Sequence, residues 1–194
     1  MSMVVARALF FLWVLTVGCA ERSLAGKQDG TPNICGIVSL PSEIQTRLKT
    51  EFSSWKIEDP DGLSMYTKQR WKSEKPLACP GIAKGHFGES DIPSYAILIV
   101  PKVNPPSAYK FLIFTRVSRE QSYESQILDS GGAGADNFFI HAVRLSKFFD
   151  ERSRLKFHAH SQEGILLVDA AENEYGVDVY FRADRTYRHQ PIDY

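Results

Sequence analysis

The chain has 194 residues, 43% hydrophobic and 12% aromatic, with 23 Lys and Arg against 23 Asp and Glu. That length suits one domain burying about 70% of its unfolded surface, and the apolar content excludes a disordered chain. Zero formal net charge removes the bulk attraction on which nucleic-acid binders depend, and ten Pro with 13 Gly fit a loop-rich globular domain, not a fibre.

The first segment reads as an export signal. Arg7 gives a positive start, and the apolar run from Ala8 to Val17 has the length of a signal h-region, about 7–15 residues. Glu21 and Arg22 end it short of the roughly 20 apolar residues of a membrane-spanning helix. Two processing routes are open. Gly18 and Ala20 suit the −3 and −1 positions of a signal peptidase site, giving a signal peptide of 1–20. Alternatively, Leu15, Thr16, Val17, Gly18 and Cys19 resemble a bacterial lipobox, giving a leader of 1–18 and a lipid on Cys19. Either way the protein is expected outside the cytoplasm: periplasmic, tethered to a membrane by that lipid, or extracellular.

Cys35 and Cys79 then remain, an even pair in an exported chain, which reads as one disulfide. Closing a loop of about 45 residues is worth up to about 4 kcal/mol in the chain-entropy model. Two buried free thiols are the alternative; a metal site would need two more ligands.

Residues 21–33 are polar, with two Gly and one Pro, and read as a flexible tether. From Leu40 the period becomes helical: Ser42 is a candidate cap, and Ile44, Leu48 and Phe52 form one stripe ending near Trp55. Residues 58–62 are a turn cluster, and Ser64 is positioned to cap a second short helix through Trp71. Strands are expected at 95–100, 110–116, 123–128, 137–143 and 164–168. A C-terminal hairpin follows, 177–182 and 186–190 about Ala183, Asp184 and Arg185. The stretch 148–155 is short, charged and ambiguous. Helices followed by strands predict α+β: one domain, 34–194, with a mostly antiparallel sheet of about six or seven strands.

Residues 80–100 carry Gly85, Phe87 and then the apolar strand from Tyr95, and they resemble a single degenerate FG-GAP (VCBS-like) motif. The resemblance implies a loop leading into a strand. The family's calcium ligands would fall on His86, Gly88, Ser90 and Ser94, with Glu89 and Asp91 nearby but off register; that set is poor in carboxylates for a hard cation. The C-terminal block, 164–169, 172–175 and the hairpin to Pro191, is similar in style to small exported bacterial proteins, among them lipoproteins.

His158 and His160 share a face if their segment is extended, so they are the metal candidates, with Glu163, Asp169 or His141 as third ligand. Asp169, Glu172, Glu174 and Asp178 read as an acidic, solvated connecting loop. Gly131, Gly132 and Gly134 lack the Gly-Lys-Ser/Thr ending of a phosphate loop and read as a flexible hairpin connection. The last 20 residues concentrate Tyr175, Tyr180, Tyr187 and Tyr194 with Arg182, Arg185 and Arg188. Period 2 places Tyr180 and Arg182 on one side of the hairpin, which with Tyr187 is the candidate partner-binding face.

The expectation is therefore an exported, non-enzymatic binding or structural domain of the bacterial envelope, monomeric and without cofactor. Its partner would be another envelope protein, not nucleic acid, and any membrane association would run through a lipid on Cys19. Two rivals remain: a small secreted hydrolase using His158 and His160 with nearby carboxylates, and an inhibitor or immunity-type protein binding through the hairpin.

Overall fold

The computed structural model describes residues 34–194 other than Pro76, 89–90, 104–107, Val117, Ala133, 157–158, His160 and 193–194; of Ile37 and 154–156 only the backbone is described. The leader, Cys19, the tether 21–33, Glu89, Ser90, His158, His160 and Tyr194 lie outside the described residues.

Among the described residues the helices are α1 (Ile34–Ile37), α2 (Ser42–Glu51), α3 (Met65–Glu74) and α4 (Glu151–Lys156). The strands are β1 (Trp55–Ile57), β2 (Ile82–Gly85), β3 (Ser94–Pro101), β4 (Tyr109–Thr115), β5 (Glu124–Gly131), β6 (Phe138–Arg144), β7 (Glu163–Ala171), β8 (Glu174–Ala183) and β9 (Thr186–Pro191). Every pairing is antiparallel. The first sheet runs β1-β3-β4-β5, with β2 sharing the β1 edge of β3; the second runs β6-β7-β8-β9.

The expected α+β class stands, but the single sheet of six or seven strands is two sheets. The apolar run from Ile97 to Val100 explains why. A strand with one wet face alternates; this one is buried on both faces, so its apolar residues are continuous. Ala96, Leu98 and Val100 meet Phe111 and Ile113 of β4 and, from the second sheet, Ile140, Ile165, Leu167 and Tyr180. Ile97 and Ile99 point the other way, under Leu40 and Ile44 of the α2 segment. The second sheet repeats the arrangement, with Phe139, Leu166, Val168, Val179 and Phe181 under Leu63 and Trp71. The layers are thus helix, sheet, sheet, helix.

The glycine-rich segment after β5 is the passage between sheets, not the hairpin connection expected from sequence. Gly134 takes φ 82°, reserved in practice for glycine, and a short 3-10 turn at Ala135–Asn137 delivers the chain to β6. Ser64 caps α3, its hydroxyl accepting from the Thr67 N–H at 3.3 Å. Ser42 is not a cap: it is the first helical residue, behind Pro41.

β8 and β9 are joined by the two residues Asp184 (φ 45°) and Arg185 (φ 68°), both left-handed as a type I′ turn requires. Asp tolerates that region; arginine does so at a cost of roughly 1–2 kcal/mol. Arg185→Gly, net of glycine's extra unfolded-state entropy, is expected to stabilise the domain by about 1 kcal/mol and raise Tm by about 2–4 °C. A thermal melt showing an unchanged or lower Tm would contradict a strained turn.

Candidate functional site

A concavity lies beside α2, on the outer face of the first sheet. Its origin is the way the helix is held. Ile44 is fully buried against the sheet, with Leu48 and Phe52 partly buried one and two turns on. One flank of α2 is fastened to the start of β5: the Glu43 carboxylate accepts from the Tyr123 N–H at 2.7 Å. Arg47 donates to the Tyr123 carbonyl at 2.7 Å and to the Ser125 hydroxyl at 2.8 Å. Residues three and four apart share a helix face, so Gln45 and Lys49 fall on the opposite flank. These fastenings lie toward β5, and at the opposite edge of the sheet, where β1 pairs with Ile99–Pro101 of β3, a gap lies between α2 and β1.

A groove of about 340 Å³ fills that gap. Ile99 and Leu40 form its floor, Leu48 and Phe52 one wall, and Trp55 and Ile57 of β1 the other. Its rim is cationic. Lys49, Lys56 and Lys102 line it, and the Lys110 ammonium sits beside it, 4.8 Å from the Trp55 ring centroid and 5.6 Å from that of Phe52. Lys102 donates to the Ser53 carbonyl at 2.6 Å, and Lys56 stands 3.6 Å from the Asp59 carboxylate. The Gln45 amide is engaged with the Leu40 carbonyl at 2.8 Å. The arrangement offers buried apolar surface to a ligand's body and ammonium groups to its end. Sequence reading missed β1 as a strand. The apolar–charged–apolar order of Trp55, Lys56 and Ile57 was the available signal, too short to stand out.

The residues singled out from sequence fall elsewhere. Tyr180 is only 5% exposed: its ring meets Phe111 edge-on at 5.0 Å, and its hydroxyl donates to Asp129 at 3.2 Å. The same Asp129 oxygen accepts from Tyr109 at 2.9 Å. Burial, then the Asp129 carboxylate, push both phenols well above the ordinary tyrosine range. Tyr187 donates to the Phe87 carbonyl at 3.1 Å, and the Arg182 guanidinium lies 5.3 Å from the Tyr187 ring centroid. The face expected to meet a partner is turned, at Tyr180 and Tyr187, onto the first sheet. Large rings with polar tips serve such internal seams as well as they serve surfaces.

Of the four acids expected on one loop, Asp169 stands within β7 and Glu174 and Asp178 within β8, leaving Glu172 on the turn between the strands. His189 stacks on Tyr180 at 5.4 Å, its Nδ1 3.3 Å from Asp178. The three residues considered as third metal ligands do not converge. His141 pairs with outward Leu166 and faces α3, whereas Glu163 and Asp169 share the inward parity of Ile165 and Leu167. Glu163 is occupied by the His86 N–H at 2.6 Å. Among the described residues no three His, Cys, Asp or Glu side chains gather to hold a metal ion.

Cys35 and Cys79 form the disulfide, with Cα atoms 4.6 Å apart. Both sulfurs rest 3.8 Å from the Glu58 carbonyl, a contact and not a hydrogen bond, because an oxidised sulfur carries no proton. The bridge joins α1, just ahead of α2, to the chain entering β2, and packs against the backbone at Glu58, which follows β1. Compared with known protein families, curated proteins and solved structures, the chain finds no match, so the reading of this groove rests on its own chemistry.

Proposed function

We propose that this chain is an exported protein of the bacterial envelope that works by binding, and that its ligand sits in the groove between α2 and β1. The half-buried apolar walls, Leu48, Phe52, Trp55 and Ile57, carry the reading. A groove of 340 Å³ lies at the lower end of the range of about 300–1,000 Å³ in which small-molecule sites are found. One wall is fastened by the Glu43 and Arg47 hydrogen bonds and the other by strand pairing, so the groove is pre-formed, which spares the ligand the cost of ordering it. The disulfide suits the oxidising space to which the leader would send the chain, and processing at Ala20 or lipidation at Cys19 would leave the groove domain intact.

A neutral apolar fluorophore, N-phenyl-1-naphthylamine, tests the groove. It is expected to bind with saturable enhancement of its emission. Leu48→Arg, which puts a charge on the wall, is expected to weaken it at least tenfold, corresponding to about 1.4 kcal/mol. Linear, unsaturable enhancement unaffected by Leu48→Arg would overturn the reading. Mass spectrometry of envelope material addresses export separately: a chain starting at Glu21 or an acylated Cys19 supports it, and intact protein starting at Met1 in the cytosol refutes it.

A further inference from the structure

The groove's charge, set against that of the whole chain, identifies the kind of ligand. We propose that it takes a single-chain fatty carboxylate, tail between the apolar walls and carboxylate among the rim lysines; this rests on the binding reading above.

The chain as a whole is formally neutral, so a local excess of one sign reflects placement, not composition. Lys49, Lys56 and Lys102 line the groove and Lys110 adjoins it, while no carboxylate is among the lining residues. Among the described residues, the acid paired with these lysines is Asp59, 3.6 Å from Lys56, and both side chains are more than a third exposed. Such an exposed pair is loosely held and easily exchanged for a ligand anion. Lys102 is better placed. An ammonium has three donors; one is spent on the Ser53 carbonyl at 2.6 Å, a neutral partner that fixes the head without cancelling its charge. Lys110 over Trp55 and Phe52 keeps its charge in the same way. The groove therefore presents positive charge already positioned and not neutralised.

The rest of the lining decides what carries the anion. Sugars and nucleobases are recognised by several convergent polar groups. Here the polar groups besides the lysines are Gln45 and Ser53, and both have a polar atom already committed: the Gln45 amide to Leu40 and the Ser53 carbonyl to Lys102. What remains is aliphatic and aromatic surface, which favours a featureless hydrocarbon. The volume of 340 Å³ matches one acyl chain of medium length, which favours a free fatty acid. Lysine also suits the rim, because its long stem covers apolar surface while its head reaches a carboxylate at the edge.

Displacement of N-phenyl-1-naphthylamine from the exported protein is the test, with three ligands sharing one tail: laurate, dodecanol and dodecylammonium, all below their aggregation limits. Laurate is expected to displace the probe at concentrations about tenfold lower than dodecanol, and dodecylammonium to be the weakest. Raising NaCl from about 0.05 to 0.5 M should narrow the laurate advantage, because rim charges are screened. Lys49→Gln with Lys102→Gln should bring laurate to the level of dodecanol, whereas Lys72→Gln with Lys147→Gln, removing as much charge away from the groove, should leave laurate displacement unchanged. Equal displacement by all three ligands overturns the carboxylate assignment and leaves the binding reading standing. Absence of saturable probe binding overturns both. Capture of the protein on vesicles of anionic two-chain lipid, with no displacement by laurate, overturns the assignment in favour of a membrane surface.

Discussion

Replacing Cys35 and Cys79 together by alanine is expected to lower stability by up to about 4 kcal/mol, the chain-entropy value for a loop of this size, and to lower Tm by roughly 8–16 °C. The size of the loop matters less than its contents. The 44-residue separation encloses α2, β1 and α3. These are the elements that cover the outer face of the first sheet, complete its edge and cover the outer face of the second. The strand pairs β3-β4, β6-β7 and β7-β8 lie outside the loop and hold each other by long ladders. Losing the bridge should therefore loosen the covering helices before the sheets, since local stability follows local packing.

Three measurements check this. Reductant should lower the wild-type Tm by the same amount as the double substitution and leave the variant unmoved. Hydrogen exchange should speed up in α2 and β1 more than in β7. Saturable binding of the apolar fluorophore should weaken, because the bridge anchors the segment just ahead of α2, which forms one wall of the groove. A Tm drop of less than about 2 °C would mean that the covering segment is held by its own packing.

The strands were legible in sequence wherever both their faces are buried, because a doubly buried strand is a continuous apolar run: Ile97 to Val100, Phe111 to Phe114, Ile165 to Val168. That same property hid their division into two sheets. An alternating strand announces which face meets the core, whereas a continuous run says only that both faces do, and a second sheet covers a face as well as a helix can. The helix stripe Ile44, Leu48 and Phe52 was also visible, as was the cap at Ser64, whose hydroxyl answers a local need. The groove was not. It depends on contacts distant in sequence: Glu43 and Arg47 fasten α2 to Tyr123 and Ser125, about 80 residues away, and β1 pairs with Ile99–Pro101. The burial of Tyr180 was not legible for a related reason: composition distinguishes aromatic from aliphatic, not the seam between two sheets from the outside of one, whereas Arg182 and Tyr187 stay half-buried.

Glu58→Gln is expected to flatten the acid side of the stability profile, changing the stability difference from wild type by about 3 kcal/mol between pH 4.5 and 8. Glu58 follows β1 directly and is 0% exposed. Its Oε1 accepts from the Asp59 N–H at 3.1 Å, and its Oε2 has no hydrogen-bond partner among the described residues. The carboxyl occupies space that Gly62 leaves open; a Cβ at Gly62 would overlap Oε1. Burial is the main force on the group and pushes it from 4.5 up to about 7. The Asp59 N–H and Lys56 oppose that rise, while the Asp59 and Asp136 carboxylates add to it.

The sign follows from proton binding. Between pH 4.5 and 7 the folded protein holds this proton more tightly than the unfolded chain, so folding takes up a proton and stability falls as pH rises. The contribution is fully present below about 4.5 and lost above about 7. Glutamine keeps the acceptor for Asp59 and cannot ionise, but its two N–H donors need partners, which shifts the variant's whole curve by a constant. The diagnostic is therefore the slope, read from urea unfolding at a series of pH values. His141 works in the opposite direction: burial lowers it to about 4, with Lys75 and Lys147 adding to the effect. The folded state then binds fewer protons than the unfolded chain, and stability is lost as pH falls below 6.5. That loss is common to wild type and variant and drops out of their difference. A difference that stays constant across the range would show that Glu58 ionises in the folded protein as it does in water, with β1 opening to admit solvent, and burial would no longer account for its environment.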